Sequence, residues 1–253
     1  MKLKRKLMGL ALAVCMAAGL LPAKVSAAGT DTGKAIQLVE DGNAANISGG
    51  QASNVYYGTY QQSSDGNGGY NTDPIKWRVL SNEEGTQPDE GDKLFLLADQ
   101  NLDVVRYNET NTSITWAEST MRSWLNGYDG QKNIDSKDYS TDAADSFLGS
   151  AFSVAEQGAI PYTKVVNDKN PTYPTEGGNG TEDKIFLLSL NEVQTEAYGF
   201  RADTLSDTAR VATNTAYVAS GGKTGGSMFP EGNSDIWWLR SPGLNGNCGE
   251  CRR

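Results

Sequence analysis

The sequence contains no histidine among its 253 residues and only three cysteines. The lack of histidine excludes Ser-His-Asp and Cys-His catalysis, imidazole metal sites and the one side chain whose ordinary pKa lies near neutral pH. Basic residues are also few, since 22 lysines and arginines face 31 acidic residues and give a net charge of -9. We therefore expect no general nucleic-acid binding, which depends on contacts between Lys or Arg and phosphates.

Long hydrophobic runs are scarce too, and the one that stands out lies near the N-terminus. It extends from Leu7 to Leu21, follows the basic residues within 2–6, and is followed by small residues at 25–28. This is the order of a secretory signal peptide, and the run is shorter than the roughly 20 residues that a membrane-spanning helix needs. We expect cleavage after Ala27 or Ala28, a secreted or cell-surface protein, and no transmembrane segment in the mature chain.

Cleavage would change the composition of the chain. Removal of residues 1–27 deletes five basic residues and Cys15, so 17 basic residues face 31 acidic ones and the net charge becomes -14. The remaining cysteines, Cys248 and Cys251, are close together at the C-terminal end. A disulfide between them would close a small loop without joining distant parts of the fold.

The rest of the chain divides into a mobile leader over 28–52, one domain over 53–243 and an atypical tail over 244–253. Alternating or unbroken apolar residues predict strands at Val55–Tyr60, Ile75–Val79 and Leu94–Ala98. The last of these is continuously apolar, which is typical of a central strand that is covered on both faces.

Helix starts are indicated by a hydroxyl residue followed three positions later by glutamate, the pattern of a capping box. A fourth helix is predicted over 205–219, where Leu205 and four alanines recur at steps of three and four before Gly221-Gly222. Together the patterns predict an α+β fold with small, twisted, mainly antiparallel sheets, several short helices and long polar loops. The three capping boxes are Thr115 with Glu118, Ser153 with Glu156, and Ser189 with Glu192.

Residues 92–97 return in similar form at 183–188, 91 positions later. One interpretation is a duplicated half-domain. The favoured one is a pair of core strands that each follow a polar turn, because the flanking residues do not match.

A polar segment between residues 167 and 183 combines Asn, Asp and Glu oxygens with Gly and Pro bends, which suits the hard, flexible coordination of calcium. The spacing fits no EF-hand loop, and an ordinary solvated loop is the alternative. The candidate calcium ligands are Asn167, Asp168, Asn170, Glu176, Asn179 and Asp183.

The phrase at 237–243 is a second candidate site. Trp238 and Arg240, with Asp235 just before them, could form a binding surface through stacking and cation–π contacts. The alternative is that one of the two adjacent tryptophans fills the core and the other packs under a loop, since neighbouring strand residues point to opposite faces. Paired carboxylates for hydrolysis are available throughout the chain, but no spacing singles out a pair.

Several phrases occur in an order that resembles a family described as a domain of unknown function. That family is common in exported and cell-surface proteins of Gram-positive gut bacteria, and it has no established activity. The resemblance covers roughly residues 54–243. It is carried by Pro74–Leu80, Tyr107–Thr110, Thr115–Asn126, Asp183–Ser189, Tyr198–Phe200 and the Trp-Trp-Leu-Arg-Ser-Pro-Gly phrase Trp237–Gly243.

The resemblance implies a fold. The C-terminal portion of the family looks distantly like C-type lectins and the formylglycine-generating enzyme, which have a small twisted sheet and long loops. The cysteine pair of that enzyme has no counterpart motif here, so no activity is implied. Relatives continue beyond the tryptophan phrase with strand-like sequence, whereas this chain ends in Cys248–Arg253. We therefore expect a truncated or frame-shifted end.

Together these features predict a secreted or surface module that binds an extracellular carbohydrate or protein, with calcium as its one candidate cofactor. A carboxylate-based hydrolase acting on glycans is the first alternative. A structural extracellular domain without a ligand is the second.

Overall fold

The computed structural model describes residues 10–11, 15–18, 37–40, 53–82, 94–110, 112–224, 234–235, 237–243 and 249–252. Strands within these ranges are β1 (Leu10–Ala11), β2 (Cys15–Ala18), β3 (Gln37–Glu40), β4 (Ser53–Ser64), β5 (Tyr70–Asn82), β6 (Leu94–Ala98), β7 (Gln100–Asn101), β8 (Val104–Val105), β9 (Thr163–Val165), β10 (Thr181–Asp183), β11 (Ile185–Phe186), β12 (Ala212–Asn214), β13 (Ser234–Asp235), β14 (Trp237–Pro242) and β15 (Gly249–Arg252).

The helices in the described part of the chain are short. Their bounds are α1 (Thr120–Asn126), α2 (Phe147–Ala151), α3 (Val154–Ala159) and α4 (Ala216–Ala219). Single 3-10 turns lie at Trp116–Glu118, Gly130–Lys132, Ala143–Asp145, Glu192–Gln194, Glu196–Tyr198, Thr208–Arg210 and Gly222–Thr224.

The largest sheet has six strands in the order β11-β2-β6-β5-β4-β3, and all of its neighbouring strands are antiparallel. Strands β6 and β5 lie at its centre, and β5 forms a long hairpin with β4. Its turn is held by Asp65, whose side chain accepts hydrogen bonds from the amides of Asn67 and Gly69 at 2.8 Å each. Residues 65–69 are therefore only the tip of this hairpin, and both strands extend beyond the apolar residues that predicted them.

Three smaller sheets surround the large one. Their strand orders are β15-β14-β1-β8, β10-β9 and β13-β12-β7, and all but two of their pairings are antiparallel. Small, mainly antiparallel sheets combined with short helices confirm the predicted α+β class. The likeness to C-type lectins stays a prediction.

The core is rich in aromatic side chains. Trp77 on β5 and Trp124 on α1 are fully enclosed, and Trp77 donates its indole hydrogen bond to the Tyr57 carbonyl at 2.8 Å. The Phe147 ring on α2 lies 5.7 Å from Trp124, and the Phe152 ring lies 6.4 Å from Trp77. Helices α1 and α2 are thus attached to the large sheet through ring contacts.

The strand predictions are confirmed. The predicted run Leu94–Ala98 coincides with β6, which is paired on both edges within the large sheet. The runs at Val55–Tyr60 and Ile75–Val79 lie inside β4 and β5. A short apolar run such as Leu94–Ala98, when it is buried on both faces, is suited to a central strand.

The capping-box predictions have mixed outcomes. Ser153 and Glu156 form the full reciprocal pair at the start of α3. Ser189 and Glu192 also exchange hydrogen bonds, but only a 3-10 turn follows them. The helix expected to start at Thr115 begins later.

The reason is local. Thr115 makes no cap to the backbone, and the 3-10 turn Trp116–Glu118 follows it. Ser119 then adopts an extended conformation and its hydroxyl accepts from the Arg122 amide at 3.2 Å. The helix therefore starts at the serine that can cap it.

The predicted helix over 205–219 is wrong. That region contains a 3-10 turn capped by Asp207, the strand β12 and only the short helix α4, capped by Thr215. Strand β12 pairs with β7 and β13, and Asn101 donates to Asn214 at 2.8 Å. Backbone pairing with distant strands outweighs the helix propensity of these alanines, because tertiary contacts override intrinsic propensity.

Part of the predicted signal peptide and leader lies in the sheets. Leu10–Ala11 and Cys15–Ala18 form β1 and β2, and Gln37–Glu40 of the expected mobile leader pairs with β4. Of the tail, only Gly249–Arg252 is described, as β15. The possible Cys248–Cys251 disulfide lies outside the described residues, because Cys248 is not among them.

Replacing either core tryptophan should destabilise the protein. We expect Trp77→Ala and Trp124→Ala each to lower the free energy of unfolding by about 3–5 kcal/mol, because each removes a large buried ring and leaves a cavity. Urea unfolding measures the loss. The matched control is Val154→Ala on α3, whose side chain is 87% exposed. Equal losses for the tryptophan variants and the control would contradict this core.

Candidate functional site

A buried carboxylate organises the region around the β9–β10 hairpin. Asp183, at the end of β10, is fully buried. Its Oδ1 accepts from Arg122 Nε at 2.8 Å and from the Tyr128 hydroxyl at 3.1 Å. Its Oδ2 accepts from Trp116 Nε1 at 3.0 Å and from the Thr181 hydroxyl at 2.6 Å. Four donors thus satisfy this carboxylate and link the hairpin to α1 and to the turn before it.

Tyr128 lies over this cluster. Arg122 is positioned over the Tyr128 ring, 5.0 Å from its centroid, and the Tyr128 hydroxyl also donates to the Glu182 carbonyl at 3.1 Å. Burial, followed by the nearby negative charge of Asp183, raises the pKa of Tyr128. The phenol therefore stays protonated and remains a donor at neutral pH.

A second ion pair, formed by a buried arginine and a partly buried glutamate, supports the other side of the hairpin. Arg240 on β14 contacts Glu192 through both of its terminal nitrogens, with Nη2 to Oε1 at 2.8 Å. The same guanidinium donates to the carbonyls of Leu187 at 2.7 Å and Val166 at 3.2 Å. Arg240 thus joins the end of β9 to the segment that follows β11.

The outward side of this hairpin is the candidate site. Tyr162 and Val166 are exposed by 63% and 56%, and Lys164 between them is exposed and lies opposite Glu182. Lys184 follows β10, and its ammonium lies 5.2 Å from the centroid of the Tyr162 ring. We call this surface the hairpin face; it consists of Tyr162, Lys164, Val166, Glu182 and Lys184.

The hairpin face combines an exposed ring with fixed charges. Lys184 donates to the Gln157 carbonyl, and its partial burial lowers its pKa. Because Lys184 is held by this contact, its ammonium stays near the Tyr162 ring. The face can stack against a ligand while charged groups around the ring offer hydrogen bonds.

Two of the three residues proposed from the tryptophan phrase do not lie on a surface. Trp238 is only 6% exposed and donates to the Val105 carbonyl at 3.0 Å, while its neighbour Trp237 donates to the Arg210 carbonyl at 2.9 Å. Arg240 is 5% exposed and holds the contacts described above. The expectation of a binding surface at Trp238 and Arg240 is corrected, because both faces of β14 are covered.

Asp235, the third residue of that set, lies on β13. Its backbone pairs with Ala212 of β12. The side chain of Asp235 lies outside the described residues.

Two of the candidate calcium ligands are committed to other partners. Asp183 accepts from its four donors, which leaves no free lone pair facing a cation. Asn170 is buried, donates to the Pro242 carbonyl at 2.6 Å and accepts from the amides of Thr172 and Tyr173. Both side chains shape the loop and its attachment to β14.

The other four candidate ligands have separate positions. Asn167 donates to the Asn179 carbonyl at 2.7 Å, Glu176 lies 3.8 Å from the ammonium of Lys169, and Asp168 is exposed. The structure therefore joins Asn167 to Asn179 but does not assemble the six residues around one point. No group of three or more acidic or cysteine side chains suited to a metal is present in the described ranges.

A pattern in the sequence indicates the hairpin face, although its residues were not among the predicted site residues. Tyr162, Lys164 and Val166 alternate with less exposed residues, which is the period of a half-buried strand.

One further carboxylate is buried. Asp103 accepts from the Tyr60 hydroxyl and from the amides of Val104 and Lys223, each at 2.7 Å. Burial raises the pKa of Asp103 to about 6, although these hydrogen bonds oppose the shift. Through these hydrogen bonds the enclosed carboxylate connects β4, β8 and the turn at Gly222–Thr224.

The fold and the site define an α+β protein in which the most exposed aromatic side chain of the described residues lies on a braced hairpin. A family model described as a domain of unknown function, DUF6273, matches residues 91–251. The chain belongs to this family, as the sequence phrases indicated in general terms. No curated protein and no solved structure shows significant similarity to the chain.

Removing the central carboxylate should destabilise the protein strongly. We expect Asp183→Ala to lower the free energy of unfolding by about 3–5 kcal/mol, because Arg122 would remain as a buried charge without its partner. Chemical denaturation measures the loss. Asp168→Ala, at an exposed aspartate of the same segment, should change stability by less than about 0.5 kcal/mol. A loss no larger than that of Asp168→Ala would contradict the bracing role of Asp183.

Asp103 should make stability depend on pH. Its folded-state pKa of about 6 lies above the ordinary value of 3.8, so the folded protein binds this proton more tightly than the unfolded chain does. The resulting stabilisation is complete below about pH 4 and is lost as the pH rises through about 6. Relative to Asp103→Asn, the wild type should lose up to about 3 kcal/mol over this range.

Urea unfolding of both proteins at pH 4, 5, 6 and 7 tests this difference. Taking the difference between the two proteins removes the contributions of the other carboxylates. A difference that stays constant, or that grows in favour of the wild type with increasing pH, would contradict it.

Proposed function

We propose that this chain is a secreted or cell-surface module that binds carbohydrate through the hairpin face. The observation that carries the proposal is an exposed tyrosine ring with an ammonium held beside it, on a hairpin whose underside is held by one buried and one partly buried ion pair. A flat ring can stack on the apolar face of a sugar. The lysines and the glutamate around it can bond the hydroxyls.

The rigidity of the hairpin supports binding. A ligand that meets a preformed surface loses less affinity to the ordering of side chains and loops. Arg122 and Arg240 fix the hairpin through backbone and carboxylate contacts on two sides. The exposed residues of the hairpin face are therefore held in one conformation.

The composition of the hairpin face favours carbohydrate over a protein partner. Protein interfaces are depleted of Lys and Glu, and their buried centres need larger apolar surfaces. Here three of the five residues are charged, and one tyrosine is the only ring among them. A polar ligand of small cross-section fits this arrangement better than a broad protein surface does.

Export is the second part of the proposal. It is supported by the basic, apolar and small-residue order of the first 28 residues. No helix within the described ranges is both long enough and apolar enough to cross a bilayer.

The hydrolase alternative would need a carboxyl group with a raised pKa that reaches a substrate. Asp103 has the raised pKa, but Tyr60 and two backbone amides enclose its oxygens. The geometry therefore gives Asp103 a structural role and favours binding as the function.

A glycan array followed by calorimetry tests the proposal. We expect the wild type to bind at least one class of extracellular glycan and Tyr162→Ala to bind it at least about tenfold more weakly, which corresponds to about 1.4 kcal/mol. This substitution removes the stacking ring but leaves the ion pairs that hold the hairpin unchanged. Thermal unfolding of Tyr162→Ala should match that of the wild type.

The matched control is Leu205→Ala, because Leu205 is 62% exposed and lies outside the hairpin face. It should leave binding unchanged. Retention of full affinity by Tyr162→Ala would contradict the assignment of the site. Release of sugar products from the same polymers would favour the hydrolase, and absence of both binding and hydrolysis would favour a structural domain.

A further inference from the structure

One strand of the large sheet comes from the predicted signal peptide and not from the mature domain. Strand β2, residues 15–18, lies between β6 and β11 and is antiparallel to both. In the described part of the chain, β6 and β11 are connected by strand pairing only through this segment. It lies within the predicted signal peptide.

Loss of the signal peptide would open the sheet at this point. Four positions of β6 and both positions of β11 would lose the neighbour with which they pair. Unpaired amides and carbonyls at a sheet edge are a template for another strand. The side chains that flank this gap, including Leu96, Leu97 and Ile185, are buried and apolar.

The two borders of the gap match each other. Leu97 and Phe186 both lie opposite Cys15, and Leu96 and Ile185 both lie opposite Met16, so β6 and β11 run in the same direction. These borders belong to the two similar phrases at 92–97 and 183–188, but the two phrases are offset by two positions along β2. Ile185, which corresponds to Leu94 in the repeat, lies opposite Met16, whereas Leu94 lies opposite Ala18. The repeated sequence thus supplies both edges of the gap, although in different registers.

An aromatic contact joins the borders independently of β2. The rings of Phe95 and Phe186 stack with centroids 5.8 Å apart and planes 19° apart. Arg240 and Glu192 also brace the segment after β11, where Arg240 donates its backbone amide to the Leu188 carbonyl at 3.0 Å. These contacts would keep the two edges one strand apart.

The residues of β2 indicate what kind of ligand would fit the gap. Residues 15–18 are Cys, Met, Ala and Ala, an uncharged run of mainly small residues. The same predicted signal peptide also supplies Leu10–Ala11, which lies between β14 and β8. A suitable ligand for the gap is an extended, uncharged segment that offers about the four residues of β2.

We propose that the gap between β6 and β11 is a strand-accepting site, which the exported chain uses to bind an extended, uncharged segment of a partner protein. The inference rests on the proposed export and signal cleavage, but not on carbohydrate binding. Backbone hydrogen bonds to both edges would provide affinity, and the apolar borders would select against charged segments.

The test uses the chain secreted by a Gram-positive host, with its N-terminus determined by mass spectrometry. The probe is a synthetic peptide with the sequence of residues 7–21 and a short lysine tail for solubility. We expect saturable binding of one peptide per chain, together with slower hydrogen exchange at the amides of β6 and β11. The control peptide carries Met16→Pro and Ala17→Pro, which remove two backbone donors. It should bind at least about tenfold more weakly.

Three results would overturn the proposal. Retention of residues 15–18 in the secreted protein would mean that its own strand fills the gap. Protection of β6 without peptide, in a protein that sediments as a dimer, would identify a second copy as the occupant. Equal affinity for both peptides would exclude strand pairing. Glycan binding that depends on Tyr162 would stand in each case, so the two proposals fail separately.

Discussion

The buried ion pair between Arg122 and Asp183 is the interaction on which the described structure most depends. A charge enclosed in a protein is costly unless its partners are in place. The four donors to Asp183 come from α1, the residues beside it and the hairpin strand itself. The helix, the turn before it and the hairpin must therefore assemble together. The hairpin face inherits its rigidity from this shared core.

Strands were easier to predict than helices, for a physical reason. The run Leu94–Ala98 is apolar at every position, and burial on both faces leaves it one role. The stripe over 205–219 instead combined a helical preference with residues that pair with β7 and β13, and distant backbone partners decided the outcome. The repeated phrases were correctly interpreted as core strands, yet their shared neighbour β2 could not be inferred from their sequence.

The candidate site was less predictable than the fold, because burial depends on distant residues. Trp238 and Arg240 have the chemistry of binding residues, but their partners Val105 and Val166 lie 133 and 74 positions away. Asp183 resembled a calcium ligand until its four donors were placed. By contrast, the exposed residues Tyr162 and Val166 needed only the period of their own strand to be recognised.

We propose that ligand binding takes place on the hairpin face. Hydrogen exchange of the secreted protein, with and without a glycan selected from an array, is the most direct test. We expect slower exchange at residues 162–166 and 181–184 when the glycan is bound, with the remaining amides unchanged. Slower exchange at another surface, with these residues unaffected, would contradict it.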